Sequence, residues 1–522
     1  MDSAQSGIHH ITLITRRAQA NLDFYVGVLG LRLVKRTAGF EDATQLHLFY
    51  GDALGSPGSL VTFLAWEDGT PGRPGLGQAA ELTFAVPPAS IGFWLTRMMT
   101  AGTRFTGPVR EFGEPVLRLT DPDGVTVKLV GADLPGASAP WAAQGVPAEH
   151  AVRRLRGALL LTDRPAETAA FLRRHFGYRE AAREAGLTRL LSPSGDAIDL
   201  RDATGFWPGA PGPGTIDHIA FRAPDLAAVH RSFERLTGGG HETMPLKDRR
   251  YFTSIYVREP GGVLCELATD GPGMTVDEPE AQLGQGLFVP PSAAERAEEI
   301  GLVLPDLAMP GEEREMRADL PFVHRLKRPS APDSSVMVLL HGTGGNETDL
   351  MPFAHRIAPR AALLGFRGRS TEEGVLRWFR RLGPTRFDQA DLLREAEAFA
   401  ATLPEALAFY GLDPAQTTVL GYSNGANFAA AAMLLHPGLI RRAALLRPMP
   451  VLEVPPPADL AGTAALAVSG AADPYGPHAP ALAEALRRAG ASVTTETIAA
   501  GHELVPADAE LVRSWLQAGA PP

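Results

Sequence analysis

The sequence predicts a two-part fold, in which an α+β half built from four βαβββ modules precedes a doubly wound α/β half. The chain has 522 residues, which is too long for one hydrophobic core, so several domains are expected. A unit of one strand, one helix and two or three further strands recurs four times before residue 269. From about residue 321, apolar strands alternate with longer helical patterns, which favours a mostly parallel sheet.

Each of the four modules ends in a strand that is entered through a Pro/Gly turn. The modules span residues 10–65, 82–130, 157–202 and 218–268. Two modules packed edge to edge would form an open cup lined by their first and last strands. Such a cup is where we expect a binding site.

Four segments are predicted along the chain. Residues 1–140 contain modules one and two, residues 150–300 contain modules three and four with a C-terminal extension, residues 301–320 form a linker, and residues 321–522 form the α/β half. The linker is predicted because the segment between the two halves is rich in Pro, Gly and acidic residues and has little periodicity.

Charge and composition disfavour several classes of partner. The formal net charge is -10 and the sequence pI is about 5.8, so no basic surface for nucleic acid or an anionic membrane is expected. The longest apolar run, at residues 428–435, is too short to span a bilayer. Cys265 is the single cysteine and the N-terminus lacks the regions of a signal peptide, so we expect a soluble, cytoplasmic protein.

Two adjacent histidines, His9 and His10, open the first module. A strand points neighbouring side chains to opposite faces, so only one of them can be a direct ligand without distortion. Laying the four modules over one another places His10 opposite Leu82, Gly157 and His218. Only modules one and four therefore carry an imidazole at this position.

The final strands supply a carboxylate at the equivalent place. Glu266 of module four falls opposite Thr62, Lys128 and Asp199 of modules one, two and three. Pairing module one with module four would bring two imidazoles and one carboxylate together, with Thr62 at the fourth corner, whereas the pairing of modules two and three offers no cation site. The predicted metal ligands are His10, His218 and Glu266.

Two neutral imidazoles and one carboxylate, with positions left open, form the ligand set of non-haem Fe(II) that admits both a substrate and O2. Zn, Mn and Ni stay open at this point. The alternative is that His10 and His218 are ordinary strand-start histidines and Glu266 is a surface residue. Three coincidences at equivalent repeat positions favour the metal site, and strand parity turns Asp217 and Cys265 away from the cup.

The first half resembles the vicinal oxygen chelate superfamily. The segments GIHHIT, NLDFYVGVLGLRLVKRT, DRRYFTSIYVREPGGVLCE and VDEPEAQLG are similar to its hydroquinone-type ring-cleaving extradiol dioxygenases, over about residues 7–300. The resemblance implies Fe(II), with Mn(II) or another divalent metal open, O2 as co-substrate and a small aromatic p-dihydroxybenzene as substrate. By position, it implies His10, His218 and Glu266 as iron ligands.

The resemblance also implies roles for polar residues around the ligands. His9, Thr12, Arg249 and Tyr256 match the polar residues of that family, and Tyr256 and Arg249 would hydrogen-bond the substrate or its developing negative charge. One position departs from the family pattern, because Asp217 stands where a histidine is expected just before the second ligand. A carboxylate can still move protons, but its ordinary pKa is lower and its reach is shorter.

The α/β half contains the pattern GYSNG at residues 421–425, between a predicted strand and an apolar helix. This is the context of a nucleophile elbow, in which flanking glycines relieve crowding around an exposed serine, here Ser423. The acid and base should follow in later loops, and Asp473 and His502 do so in that order. Ser423 would attack, His502 would take its proton, and Asp473 would hold the imidazole.

An oxyanion hole is expected from an early loop and from the amide after the serine. The loop VLLHGTGGNE makes the Thr343 and Asn424 backbone amides the candidates. We interpret His341, His355 and His436 as structural residues. No organic cofactor is predicted.

The segments HGTGGNETDL, FDQADLL, VLGYSNGANFAAAAMLLHP and GHEL resemble the phospholipase/carboxylesterase branch of the α/β hydrolases. That branch acts on esters and thioesters of modest size without a metal. The fusion suggests consecutive steps, or a shared task in the degradation or detoxification of hydroquinones and quinones. Both scaffolds often form dimers by resemblance, so a homodimer stays open.

Three alternatives to these functions stay open at the level of sequence. The first half could be a metal-dependent isomerase or lyase of the glyoxalase type, although such enzymes usually have four ligands and Thr62 is a poor one. It could also be a non-catalytic module that binds an aromatic ligand beside an active hydrolase. The second half could be a carbon-carbon bond hydrolase that uses the same triad.

Overall fold

The computed structural model describes residues 6–134 and 140–519. The chain divides into two compact units. The first, here called the repeat unit, comprises Met1–Ile300 and Leu304–Arg314, and the second, the α/β unit, comprises Gly301–Val303 and Glu315–Pro522.

The repeat unit contains the four predicted modules, each with a first strand, a helix and three further strands. In chain order the strands are β1 (Ile8–Thr15), β2 (Arg32–Ala38), β3 (Leu46–Gly51) and β4 (Leu60–Ala65) of module one; β5 (Gln78–Val86), β6 (Phe105–Glu111), β7 (Glu114–Thr120) and β8 (Thr126–Gly131) of module two; β9 (Arg154–Thr162), β10 (Arg179–Glu184), β11 (Leu187–Leu191) and β12 (Ala197–Asp202) of module three; β13 (Ile216–Ala223), β14 (Lys247–Asp248), β15 (Phe252–Arg258) and β16 (Leu264–Pro272) of module four; and β17 (Leu287–Phe288) of the extension.

The module helices follow the first strand of each module. They are α1 (Ala18–Leu22), which continues into a π-helical segment at Asp23–Val28, then α2 (Ile91–Ala101), α3 (Pro165–Phe176) and α4 (Leu226–Gly238). Helices α2 and α3 end where Gly102 and Gly177 adopt φ values of 63° and 77°, a backbone conformation that glycine adopts without a side-chain clash.

The modules pair as the repeat alignment predicts. Modules one and four share a nine-stranded sheet of order β14-β15-β16-β13-β1-β4-β3-β2-β17, and modules two and three share an eight-stranded sheet of order β10-β11-β12-β9-β5-β8-β7-β6. Strand β1 runs antiparallel to β13 and parallel to β4, so the first and last strands of modules one and four are neighbours. We call this pair the first cup, and the pair of modules two and three the second cup.

A buried acid stabilises the turn before the last strand of module two. Asp121 Oδ1 accepts the backbone N–H groups of Asp123 and Val125, at 2.9 and 2.8 Å, and Tyr25 Oη donates to Asp121 Oδ2 at 3.2 Å. Burial raises the pKa of Asp121 to about 7, although the two backbone hydrogen bonds oppose that rise. Module two is thereby attached to the helical segment of module one.

The α/β unit has a seven-stranded sheet of order β18-β20-β19-β23-β24-β25-β26, in which β18 is antiparallel to β20 and the other pairs are parallel. Its strands are β18 (His324–Lys327), β19 (Val336–Leu340), β20 (Ala362–Phe366), β21 (Arg381–Gly383), β22 (Arg386–Phe387), β23 (Thr417–Tyr422), β24 (Arg442–Leu446), β25 (Ala464–Gly470) and β26 (Ser492–Ile498), of which β21 and β22 form a separate hairpin.

Helices cover both faces of this sheet, and a hydrophobic cluster lies on each. They are α6 (Met351–Ile357), α7 (Gln389–Phe409), α8 (Asn424–Leu435), α9 (Ala479–Arg488) and α10 (Pro506–Gln517). The apolar strands alternating with helices thus fold as the doubly wound sheet that the sequence predicts. Within the described residues, no helix has the length and apolar character needed to cross a bilayer.

The segment after the fourth module is more ordered than its composition indicates. A helix, α5 (Ala297–Val303), runs across residue 301, where the sequence predicts the start of an irregular linker. Ile300 is 1% exposed and belongs to the core of the repeat unit. A single buried residue of this kind stabilises a short helix without giving it a recognisable period.

Candidate metal centre and serine triad

The first cup brings together the three residues that the repeat alignment selects. His10 lies on β1, His218 on β13 and Glu266 on β16, and their ligand atoms lie within 4.8 Å of one another. Glu266 Oε2 is 3.1 Å from His10 Nε2 and 2.8 Å from His218 Nε2. All three side chains are buried.

The donor set has the character of a metal site. His218 Nε2 and both oxygens of Glu266 are buried. Although they lie close together, none of the three makes a well-directed hydrogen bond within the described residues. Buried polar atoms normally make hydrogen bonds. Three buried nitrogen and oxygen atoms that point to one place without hydrogen bonds therefore fit the ligands of a divalent cation. Two imidazole nitrogens and a carboxylate with open positions suit Fe(II), Zn(II) or Mn(II).

The charges in the cup favour an anionic carboxylate. Burial raises the pKa of Glu266, but His10 and His218 offset this effect and hold that pKa well below its usual value. Burial lowers the pKa of His10. Burial also lowers the pKa of His218, but Asp217 and Glu266 reverse this and raise it to about 9.

The residue before each histidine ligand contacts the far side of its ring. His9 Nδ1 is 2.9 Å from His10 Nδ1, and Asp217 Oδ2 is 2.7 Å from His218 Nδ1. A hydrogen-bond partner at Nδ1 fixes which tautomer presents Nε2 to a metal. Asp217 is therefore not turned away from the site, as strand parity alone predicts, but contacts the ligand directly.

His9 is placed by an irregularity in β1. The pairing of β1 with β13 shifts register between Ile8 and His10, and a bulge of this kind re-aims a side chain. The ring of His9 lies edge-on to that of His10 and packs against Phe252, with centroid distances of 5.1 and 5.2 Å. Both histidines are thus buried at the site, although His10 alone presents Nε2 to Glu266.

The fourth corner of the cup holds the hydroxyl groups of Thr12 and Thr62 and an imidazole, that of His47. His47 was not predicted from the sequence. Thr62 Oγ1 is 2.9 Å from Thr12 Oγ1 and 3.0 Å from His47 Nε2. His47 lies two residues before Phe49, the β3 residue that faces Thr62 across the sheet. Alternation along β3 is the signal that could have placed His47 in the cup. Burial lowers its pKa to about 3, so this imidazole is neutral.

Tyr256 and Arg249 lie on the module-four side of the first cup, as the sequence predicts. The rings of Tyr256 and His218 are 5.4 Å apart, and Arg249 Nη2 is 3.5 Å from Tyr256 Oη. Glu41, from the loop after β2, lies 3.1 Å from Arg249 Nη1. A guanidinium and a phenol therefore flank the ligands, and burial raises the pKa of the phenol well above 10.

The second cup is filled by its own ion pairs. Lys128 Nζ is 3.1 Å from Glu111, and Arg189 contacts Asp199 at 2.7 Å and Glu114 at 2.8 Å. Within the described residues, the cluster in the first cup is the one group that could hold a metal ion. This agrees with the prediction of one metal site.

The serine triad is assembled in the α/β unit. His502 Nε2 is 2.9 Å from Ser423 Oγ, and His502 Nδ1 is 2.9 Å from Asp473 Oδ2. Asp473 is 5% exposed, and its other oxygen accepts the backbone N–H of Tyr475 at 2.9 Å. This arrangement lets His502 accept the serine proton while Asp473 fixes the ring.

The turn that carries the nucleophile explains both glycines of the motif. Ser423 has φ 50° and ψ -114°, a strained conformation for a residue with a side chain. A Cβ on Gly425 would lie 2.0 Å from the Leu340 carbonyl oxygen, and one on Gly421 would lie 2.7 Å from the backbone of Ala426. Larger residues at either position would displace the elbow.

The two predicted oxyanion amides belong to segments that follow strands of the sheet, Asn424 after β23 and Thr343 after β19. Asn424 begins α8 directly after the nucleophile, and its side chain accepts the Trp378 backbone N–H at 2.8 Å. Thr343 is exposed in the loop after β19. His341 accepts the N–H of Gly368 at 2.9 Å, in keeping with its interpretation as a structural residue.

Comparison with known proteins identifies the first half. The family model of the Glyoxalase/Bleomycin resistance protein/Dioxygenase superfamily matches residues 7–129 and 151–267. MhqO of Bacillus subtilis strain 168, which is named as a ring-cleaving dioxygenase, is 36% identical over 286 residues, which is 54% of this chain and 91% of MhqO. The chain belongs to this superfamily. The matched residues lie in the repeat unit, which contains the cluster of His10, His218 and Glu266.

Other relatives extend the comparison to both halves. The chlorohydroquinone/hydroquinone 1,2-dioxygenase of Sphingobium indicum is 33% identical over 298 residues, which is 55% of this chain and 91% of that enzyme. A crystal structure from Bacillus subtilis, of a protein named as a dioxygenase, is 34% identical and has a TM-score of 0.56, covering 60% of this chain and 99% of that chain. MhqD of Bacillus subtilis, which is named as a hydrolase, is 36% identical over 184 residues, which is 35% of this chain and 92% of MhqD.

Proposed function

We propose that the chain is a bifunctional enzyme, an Fe(II)-dependent ring-cleaving dioxygenase of hydroquinones joined to a serine hydrolase of esters, lactones or ring-cleavage products. The convergence of His10, His218 and Glu266 carries the first assignment. His47, whose Nε2 lies 3.0 Å from Thr62 Oγ1, is not part of that cluster. The Ser423, His502 and Asp473 geometry carries the second. The similarity to a hydroquinone 1,2-dioxygenase and to a hydrolase supports the pairing.

In the repeat unit, His10, His218 and Glu266 would hold the iron. When bound, Fe(II) would supply open coordination positions and redox chemistry for an ionised substrate hydroxyl and O2. Arg249 offers a positive charge that favours the phenolate form of a p-dihydroxybenzene, and Tyr256 can donate a hydrogen bond to oxygen atoms that gain charge. The ring would open beside the ionised hydroxyl.

The remaining polar residues near the ligands differ in whether they can exchange a proton with the substrate. Asp217 is engaged with His218 Nδ1 at 2.7 Å, so its carboxylate orients a ligand rather than facing the substrate. His9 contacts His10 in the same way at 2.9 Å. Thr12 and Thr62 offer hydroxyl groups at the open corner, where each can both donate and accept a hydrogen bond.

A glyoxalase-type isomerase or lyase is the second candidate for this half. Such an activity fits a site with four strong ligands, whereas the cluster here has three. The hydroxyl of Thr62 is a weak ligand, and His47, whose Nε2 lies 3.0 Å from that hydroxyl, is not part of the cluster. The clustering of His10, His218 and Glu266, with three buried atoms that make no hydrogen bond within the described residues, favours a bound cation over a module that only packs against an aromatic ring.

In the α/β unit, Ser423 Oγ would attack the carbonyl carbon of an ester or lactone while His502 Nε2 accepts its proton. Asp473 holds Nδ1 and stabilises the imidazolium that forms. The amides of Asn424 and Thr343 would donate to the carbonyl oxygen as it becomes negative. The proton on His502 then passes to the leaving oxygen, and water completes the cycle by the same steps.

The test is anaerobic loading with Fe(II), followed by O2 uptake with hydroquinone and methylhydroquinone, for wild type, His218→Ala and Ser423→Ala. We expect uptake that His218→Ala abolishes and Ser423→Ala leaves unchanged. Hydrolysis of p-nitrophenyl acetate should show the reverse pattern. Iron-loaded protein that consumes no O2 with any dihydroxybenzene would overturn the dioxygenase assignment and favour the isomerase or lyase.

A further inference from the structure

A fully buried arginine lies beside the loop that carries His502. Arg447 directly follows β24, and its side chain has 0% exposure. Its Nε donates to the Gly501 carbonyl oxygen at 3.0 Å, and its Nη2 donates to the Glu503 carbonyl oxygen at 2.8 Å. The guanidinium thus holds the main chain on both sides of His502.

A carboxylate compensates the buried charge of this arginine. Asp508 Oδ1 lies 2.7 Å from Arg447 Nη1, and Asp508 Oδ2 lies 2.9 Å from Arg447 Nη2. Asp508 Oδ2 also accepts the N–H of Val505 at 2.9 Å, in the loop that leads into α10. The Arg447–Asp508 pair therefore holds the main chain at Gly501, Glu503 and Val505, which includes both sides of His502.

The same strand end also holds the nucleophile. The Leu446 carbonyl oxygen accepts the N–H of Ser423 at 2.8 Å, and Tyr422 Oη donates to the His502 carbonyl oxygen at 2.9 Å. The dipeptide Leu446-Arg447 therefore contacts the backbone of the nucleophile and the backbone around the base. Arg447 adopts φ 56°, a backbone conformation that is strained for a residue with a side chain.

We propose that Arg447 is a positioning residue of the serine hydrolase, whose guanidinium holds the Gly501 and Glu503 carbonyls so that His502 stays within hydrogen-bond reach of Ser423. The inference rests on the proposed hydrolase function. Asp473 holds His502 Nδ1 at 2.9 Å and so orients the ring, but the main chain at residues 501–503 sets the position from which the ring reaches Ser423. Removing one partner of a buried ion pair is strongly destabilising, so the test has to separate a loss of position from a loss of folded protein.

The test compares p-nitrophenyl acetate hydrolysis by the full chain carrying Arg447→Met, Arg447→Lys or Asp508→Asn. For Arg447→Met we expect kcat to fall about 100-fold, the loss that a displacement of about 1 Å causes, while KM changes less than twofold. Arg447→Lys keeps the charge but cannot reach both carbonyls, so an intermediate loss is expected. Arg369→Lys is the matched control, because Arg369 pairs with Glu395 at 2.8 Å and makes no described contact with the triad.

A second readout separates positioning from folding. Guanidinium at millimolar concentration should fill the space left by Arg447→Ala, which removes the side chain that Met would keep there, and restore kcat in a saturable manner, well below the melting temperature, whereas urea should not. The rate at which a fluorophosphonate labels Ser423 should fall and recover in parallel. If Arg447→Met is too unstable to purify, Asp508→Asn and Arg447→Lys give the same comparison at temperatures where circular dichroism shows folded protein.

The outcomes distinguish the inference from the function on which it rests. If wild type neither hydrolyses p-nitrophenyl acetate nor reacts with the fluorophosphonate, the hydrolase assignment fails. If wild type is active and folded Arg447→Met, Arg447→Lys and Asp508→Asn all keep wild-type kcat, the hydrolase stands and the positioning role is wrong. A loss in kcat that guanidinium does not reverse, with a matching loss of folded protein, would make Arg447 a stability residue only.

Discussion

Replacing Asp217 by Asn tests how the first cup holds a metal. The carboxylate lies 2.7 Å from His218 Nδ1 and its side chain is 27% exposed. Asn can keep a hydrogen bond at this distance, but it is neutral and no longer favours the positive charge that a metal draws onto the ring. The substitution therefore removes the charge of the partner while leaving His10, His218 and Glu266 in place.

The size of the effect follows from this contact. Loss of a hydrogen-bond partner behind a histidine ligand typically costs 10–100-fold in metal affinity, which corresponds to about 1.4–2.7 kcal/mol. The partial exposure of Asp217 places the expected loss near the lower end, because solvent screens part of the interaction. We expect Asp217→Asn to bind Fe(II) or Mn(II) about 10–30-fold more weakly than wild type.

The assay is anaerobic competition for the metal against a chelator of known affinity, at pH 8 and fixed ionic strength, with metal content checked by mass spectrometry. Asp202→Asn is the control, because Asp202 is an exposed carboxylate at the end of β12. An affinity for Asp217→Asn within twofold of wild type would refute the reasoning. Asp217 would then be a residue whose contact with His218 has no effect on the metal.

Three further predictions concern the triad, the elbow and the fold. His502→Ala should lower kcat for p-nitrophenyl acetate by about 10⁴-fold or more and leave O2 uptake unchanged; similar losses in both assays would contradict independent sites. Gly425→Ala should abolish esterase activity, since its Cβ would lie 2.0 Å from the Leu340 carbonyl oxygen, and full activity would disprove the crowding argument. Burial raises the pKa of Asp121 to about 7, so stability is lost as pH rises from about 4 to about 7, by up to roughly 4 kcal/mol. Asp121→Asn should therefore melt higher than wild type at pH 8, with a difference that shrinks towards pH 5, and equal melting temperatures at pH 8 would show that the carboxyl titrates normally.

Internal repetition explains why the convergence of the three candidate ligands could be predicted from the sequence. Strand equivalence across four modules places His10, His218 and Glu266 at related positions, and β-sheet pairing then brings them together. The partner of His218 could not be predicted in the same way. Strand parity fixes the direction of Cβ, but the Nδ1 edge of His218 turns back towards its own strand, within reach of Asp217.

The triad was predictable because its order along the chain follows the order of the parallel strands. Arg447 was not, because its role depends on where the loop at residues 501–503 returns over the end of β24, and no local pattern encodes that contact. The position of His47 could be predicted in part. Alternation along β3 indicates its face, but its hydrogen bond to Thr62 depends on the register between β3 and β4.

The two cups show how one scaffold accommodates polar groups in two ways. In the second cup, Lys128 and Arg189 supply the cations that Glu111, Glu114 and Asp199 require, so the polar interior is neutralised by the chain itself. In the first cup, the carboxylate of Glu266 faces two imidazoles and unsatisfied atoms, and no arginine or lysine of the described residues is paired with it. A buried carboxylate that has no arginine or lysine partner is suited to bind a cation from solution, whereas carboxylates that are already paired with Lys128 and Arg189 are not. The difference between the cups therefore follows from which corners hold a basic side chain, and it places the candidate metal site in modules one and four.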